Sequence, residues 1–124
     1  MSSRVEREHG DLRVLLDELE GTHQGEAMDR GIARLRGMLP DHFAGEERPG
    51  GFLAEARRRA PERAPDLERL AREHREMVTA LGQLDEGPER RERLLAMCAV
   101  LRDHERREGE LIAQIAYTEA GTVD

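Results

Sequence analysis

The sequence predicts an all-α bundle, and three observations point there. Leu, Ala, Glu and Arg dominate while aromatic residues make up only 2%, a usage that suits helices and serves sheets poorly. Apolar residues recur at alternating intervals of three and four along four separate stretches, the spacing of one face of a helix. Gly and Pro gather between those stretches, at Gly21, Pro49-Gly50-Gly51 and Gly87-Pro88, where helices stop and the chain turns. At 124 residues the chain has the size of one domain around one core, read as 1–124.

The four helices are expected at roughly 3–22, 26–48, 65–85 and 89–120. In the first, Ser2 and Ser3 are plausible caps, and Val5, His9, Leu12, Leu16 and Leu19 follow at helical spacing up to Gly21. His23 falls off every stripe and reads as a solvated loop histidine. The second carries Met28, Ile32, Leu35, Leu39, His42 and Glu46. Pro40 lies inside it, and because proline removes a hydrogen bond and clashes with the preceding turn, a kink just ahead of His42 is expected. From Gly50 to Pro65 the pattern breaks. Phe52 and Leu53 are expected to fold back over the end of the bundle as a short helical turn, with Arg57 to Arg59 a solvated face. The third helix shows Leu67, Leu70, His74, Met77, Leu81 and Leu84, with Pro65 acceptable in its first turn. The fourth shows Leu94, Met97, Leu101, His104, Glu108, Leu111 and Ile115.

Composition excludes several classes. Charged residues make up 38% and the net charge is -7, with Glu and Arg interspersed and no basic block. With so few aromatics to stack on bases, nucleic-acid binding is disfavoured. No apolar run is long enough to span a bilayer, and MSSRVEREHG lacks the hydrophobic stretch of a signal peptide, so a cytoplasmic protein is expected. Cys98 is the single cysteine, which rules out an intrachain disulfide and a thiolate cluster; it reads as a small core residue. Arginine supplies all 20 cationic residues, and no functional meaning is attached to that. Tyr117 reads as a rim tyrosine, and Glu47, one residue off its seam, as solvated.

The seams themselves contain the chemistry. They hold aliphatic residues, four histidines and two glutamates, and no arginine. Glu8-His9 followed by Leu12 and Leu19 parallels Glu73-His74 followed by Met77 and Leu84, and Asp41-His42-x-x-x-Glu46 parallels Asp103-His104-x-x-x-Glu108. Each half is thus a lone histidine on one helix and His-x-x-x-Glu on the next, which in a duplicated antiparallel hairpin gives a pseudo-twofold arrangement. Residues at one height in such a hairpin are equidistant from its turn, and the midpoints between the candidate residues fall in or beside the three connections. His9, His42, Glu46, His74, His104 and Glu108 are therefore expected in one layer. An ionised carboxylate buried without a partner costs several kcal/mol, and two near each other also repel. Either the carboxyls protonate or a cation sits between them. Imidazole and carboxylate donors suit iron, zinc or manganese, and two carboxylates placed to bridge suit a two-metal site.

At Glu8-His9, His42-Phe43-x-x-Glu46-Glu47, Glu73-His74 and His104-x-x-x-Glu108 the sequence resembles the hemerythrin-like family, the HHE cation-binding domains, over essentially the whole chain. The resemblance implies an up-down-up-down four-helix bundle with a non-haem di-iron centre, usually bridged by oxygen. It makes His9, His42, His74 and His104 terminal iron ligands and Glu46 and Glu108 bridging carboxylates. Oxygen-carrying hemerythrins add a histidine one turn after the third-helix one. Here that position is Val78, so reversible oxygen transport is not expected. The expected function is a di-iron protein that reacts with oxygen, nitric oxide or peroxide as a sensor or stress protein. A redox enzyme (peroxide reduction or iron-centre repair), a metal carrier without redox turnover and a purely structural bundle are the alternatives, and the protein partner is left open.

Overall fold

The computed structural model describes residues 2–22, 25–84 and 87–121, with side chains described for 7–22, 25–84 and 87–117. His23 and the side chain of Val5 lie outside the described residues. Among the described residues five α-helices follow one another: α1 Ser2–Gly21, α2 Glu26–Glu47, α3 Phe52–Arg59, α4 Ala64–Gly82 and α5 Arg90–Gly121. A 3-10 turn at Pro61–Arg63 leads into α4. The long helices α1, α2, α4 and α5 form an up-down-up-down four-helix bundle in which α1 packs on α2 and α5, and α4 packs on α2 and α5. None of the described helices is long and apolar enough to cross a membrane.

The seam residues read from the sequence line the interior. Leu12, Leu16, Leu19, Met28, Ile32, Leu35, Leu39, Met77, Leu81, Leu84, Leu94, Met97 and Leu101 pack into one apolar cluster with Leu15, Phe43 and Cys98. Burial of each large aliphatic side chain contributes roughly 1.5–3 kcal/mol, so this cluster is the main stabilising element. A second cluster joins Leu53, Ala56 and Ala60 to Leu67, Leu70, Leu111 and Ile115. The connection after α2 is thus more ordered than the sequence suggested. Its eight-residue helix α3 turns Leu53 and Ala56 inward to close this end of the bundle, while Arg57, Arg58 and Arg59 point to solvent at the helix's C-terminal end, where cations complement its dipole.

The third long helix ends at Gly82, three residues short of the expected boundary. The chain there is tied to α2, where the Arg36 guanidinium donates to the carbonyls of Leu81 at 3.2 Å and, beyond the helix, Leu84 at 2.9 Å. Within the last turn itself, the Ala80 and Leu81 carbonyls also accept from the backbone N–H groups of Gln83 and Leu84. Helix α2 continues through Pro40, so the proline does not interrupt the element that carries His42 and Glu46. Cys98 is fully buried in the first cluster, as its sequence position suggested, and Tyr117 is 80% exposed, at the surface.

Candidate metal centre

Between the two apolar clusters lies a single polar layer. All six sequence-identified residues meet there: His42, Glu46, His74, His104 and Glu108 are at most 5% exposed, and His9 is partly buried beside them. The helical repeat brings each side chain inward, and the antiparallel packing of four helices brings the four short segments to the same height.

The six residues fall into two overlapping groups, His9, His42, Glu46 and Glu108, and His74, His104 and Glu108. The carboxylates span both. Glu46 Oε2 lies 3.4 Å from the Nε2 atoms of His9 and His42, while its Oε1 lies 3.3 Å from His74 Nε2. Glu108 Oε1 lies 3.2 Å from His9 Nε2, while its Oε2 lies 3.9 Å from His74 Nε2 and 3.6 Å from His104 Nε2. Two donors held by one ion at about 2.1 Å can be at most about 4.2 Å apart. Every one of these separations satisfies that bound.

In three of the four histidines the other ring nitrogen is tied down. His42 Nδ1 donates to Glu8 at 2.8 Å, His74 Nδ1 to Glu47 at 2.6 Å and His104 Nδ1 to Glu73 at 2.8 Å. A carboxylate only accepts, so Nδ1 carries a proton and Nε2 is the nitrogen turned to the centre, where an ion can take its lone pair. This is the carboxylate-histidine arrangement that orients metal-binding imidazoles and raises their basicity. Glu73 is itself anchored by Arg107, whose guanidinium donates to both its oxygens at 2.9 Å. These outer carboxylates were not identified from the sequence. Glu8 and Glu73 appeared only as parts of a repeat, and Glu47 was read as solvated, yet it reaches across from α2 to hold His74. Their signal in the sequence is a glutamate beside a seam histidine or beside a seam glutamate.

A seventh residue enters the layer unannounced. Glu105 Oε2 is 3.9 Å from the Nε2 atoms of both His9 and His42. It lies one residue beyond the α5 seam, which is why periodicity overlooks it.

Electrostatically the layer sets buried carboxylates against imidazoles, whose protons are its positive charge when no ion is bound. Among the described residues, His42 Nε2, Glu46 Oε1, Glu105 Oε2 and both Glu108 oxygens are buried without a hydrogen bond. His74 Nε2 and His104 Nε2 approach to 3.1 Å with their Nδ1 protons committed elsewhere, so two lone pairs oppose each other unless a proton or a cation lies between. Burial by itself would lower the pKa of His9 and of His74, but the Glu108 and Glu46 carboxylates outweigh it and hold them up at about 10 and about 9. Burial would raise Glu108, but His104, His74 and His9 keep it below the usual carboxylate range. For Glu105 burial prevails and its carboxyl is raised. Without a cation the layer must retain protons to be tolerable, and a divalent ion would supply the missing charge directly. The donor set fits such an ion.

A family profile described as the hemerythrin HHE cation binding domain matches residues 1–116. The chain belongs to the hemerythrin HHE family. No curated protein and no solved structure matches it. As an HHE domain the chain binds cations, and its two His/Glu groups are where the fold offers a place for them.

Proposed function

We propose that this HHE domain holds a pair of iron ions and reacts with a small ligand, oxygen, nitric oxide or peroxide, as a sensor or stress-response protein. The observation that carries this reading is the division of Glu46 and Glu108, each with one oxygen toward the His9/His42 group and the other toward the His74/His104 group. A carboxylate shared in this way is suited to bridge two ions. Imidazole with carboxylate suits iron, and zinc or manganese would accept a similar set. A bound iron pair supplies redox capacity and exchangeable positions for a small ligand.

The chain's own residues do the rest. Glu8, Glu47 and Glu73 fix three imidazoles by their Nδ1 protons, so the donors are set before an ion arrives. The apolar clusters on either side limit water and strengthen the electrostatics within. Val78 sits one turn beyond His74, partly buried against the first cluster, and provides no third imidazole to its group. This favours reaction over reversible oxygen carriage. A carrier that releases its metal is disfavoured by the burial of five of the six residues to 5% exposure or less.

Elemental analysis of protein expressed with added iron tests the reading: about two irons per chain are expected, as for a bridged pair, with near-ultraviolet absorption. Absence of any transition metal after supplementation would overturn it. Sustained peroxide consumption by the purified protein would favour the alternative of a redox enzyme over a sensor.

A further inference from the structure

The two hairpins repeat, but not at every position. Aligning Asp41-His42-Phe43-x-x-Glu46-Glu47 with Asp103-His104-Glu105-x-x-Glu108-Gly109 places Phe43 opposite Glu105. Both side chains turn into the layer, each toward the lone histidine of the other hairpin. Phe43 is 3% exposed, and its ring stacks on His74 with centroids 3.9 Å apart and planes 4° from parallel. It also meets His104 edge-on at 5.7 Å. Glu105, its counterpart, sends a carboxylate oxygen to 3.9 Å from the Nε2 atoms of His9 and His42. That oxygen is buried and makes no hydrogen bond. The same position is thus an apolar wall in one half of the centre and an unsatisfied anionic donor in the other.

We infer that Glu105 is a further metal ligand, belonging to the His9/His42 half, and that the two halves are consequently unequal, with a small exogenous ligand binding at the His74/His104 half. The inference rests on the two-ion reading above. Both distances from Glu105 lie within the roughly 4.2 Å that two donors on one ion allow, whereas no comparable donor faces His74 and His104 among the described residues. There Phe43 supplies only hydrocarbon. One half is filled by protein, and the other keeps a position open beside an apolar ring that excludes water.

Anaerobic titration of metal-free protein with Co(II), followed by visible absorption and then by addition of azide, tests this without requiring turnover. The wild type is expected to take two cobalt ions and one azide. Glu105→Ala should hold one of the two ions at least about tenfold more weakly, leave the other unchanged, and expose a second azide site once loaded. Glu105→Gln keeps the side chain's size and should show the same loss of affinity, because a carboxamide has no charge to offer. Both variants should match the wild type in helicity by circular dichroism, since the substitution removes an unsatisfied buried carboxylate. Variants that bind both ions with wild-type affinity and spectrum would overturn the assignment of Glu105 and leave the two-ion reading standing. A wild type that binds no cobalt would overturn both.

Discussion

Glu47, at the C-terminal end of α2, accepts a 2.6 Å hydrogen bond from His74 Nδ1 in the middle of α4, and so fixes an imidazole on the neighbouring helix. The hydrogen bond determines which nitrogen carries the proton and aims the other at Glu46 and His104. It couples the two hairpins through the polar layer as well as through the apolar clusters.

Removing this hold should loosen metal without unfolding the bundle. Glu47→Ala is expected to lower metal affinity about 10- to 100-fold, with helicity unchanged, because the aliphatic clusters carry most of the buried surface. Competition against a chromophoric chelator measures it. Wild-type affinity in the variant would reduce Glu47 to a surface residue.

Metal uptake should release protons. His9 and His74 are held up at about 10 and about 9 by the carboxylates that outweigh their burial, so at neutral pH the metal-free rings carry a proton that an ion must displace. Raised pKa values mean that this competition weakens as pH increases, and affinity should climb from pH 6 to pH 9. Calorimetric titrations in buffers of different ionisation enthalpy count the protons. Pure enthalpy independent of buffer would contradict it.

Cys98 should be silent toward thiol reagents in the native state. It is fully buried, and burial pushes its thiol up to about 11, so the reactive thiolate is scarce at pH 8 and grows only as pH approaches that value. Labelling with a disulfide reagent should be slow in buffer and complete in urea. Rapid labelling of the folded protein would show that the first core cluster opens readily.

Val78→His would place a new imidazole one helical turn after His74, on the same face. If the His74/His104 half is the open one, this ring competes for the open position, and azide binding to the loaded protein should fall at least about tenfold, as for displacement of an oriented ligand. Metal content should not fall. Unchanged azide affinity would place the exchangeable position at the His9/His42 half instead.

The six inward residues were legible in the sequence because periodicity along a helix depends only on the chain itself: His104 and Glu108 continue the stripe of Leu101 and Leu111 whatever packs against it. The duplicated His and His-x-x-x-Glu pattern then placed all six at one height. Glu8, Glu47, Glu73 and Glu105 were not legible as part of the centre. Each lies one residue from the seam, rotated by about 100° around its helix, where a side chain points either to water or across to a neighbour. Which of these happens is set by the position of the next helix. Docking α2 against α4 turned Glu47 onto His74, and packing α1 against both α2 and α5 brought His9 and His42 together within reach of Glu105. The chain leaving α4 is likewise held from outside, by the Arg36 guanidinium of α2 on the Leu81 and Leu84 carbonyls. Local spacing determined which residues face inward, and only the packing of the helices decided which off-seam carboxylates reach the centre.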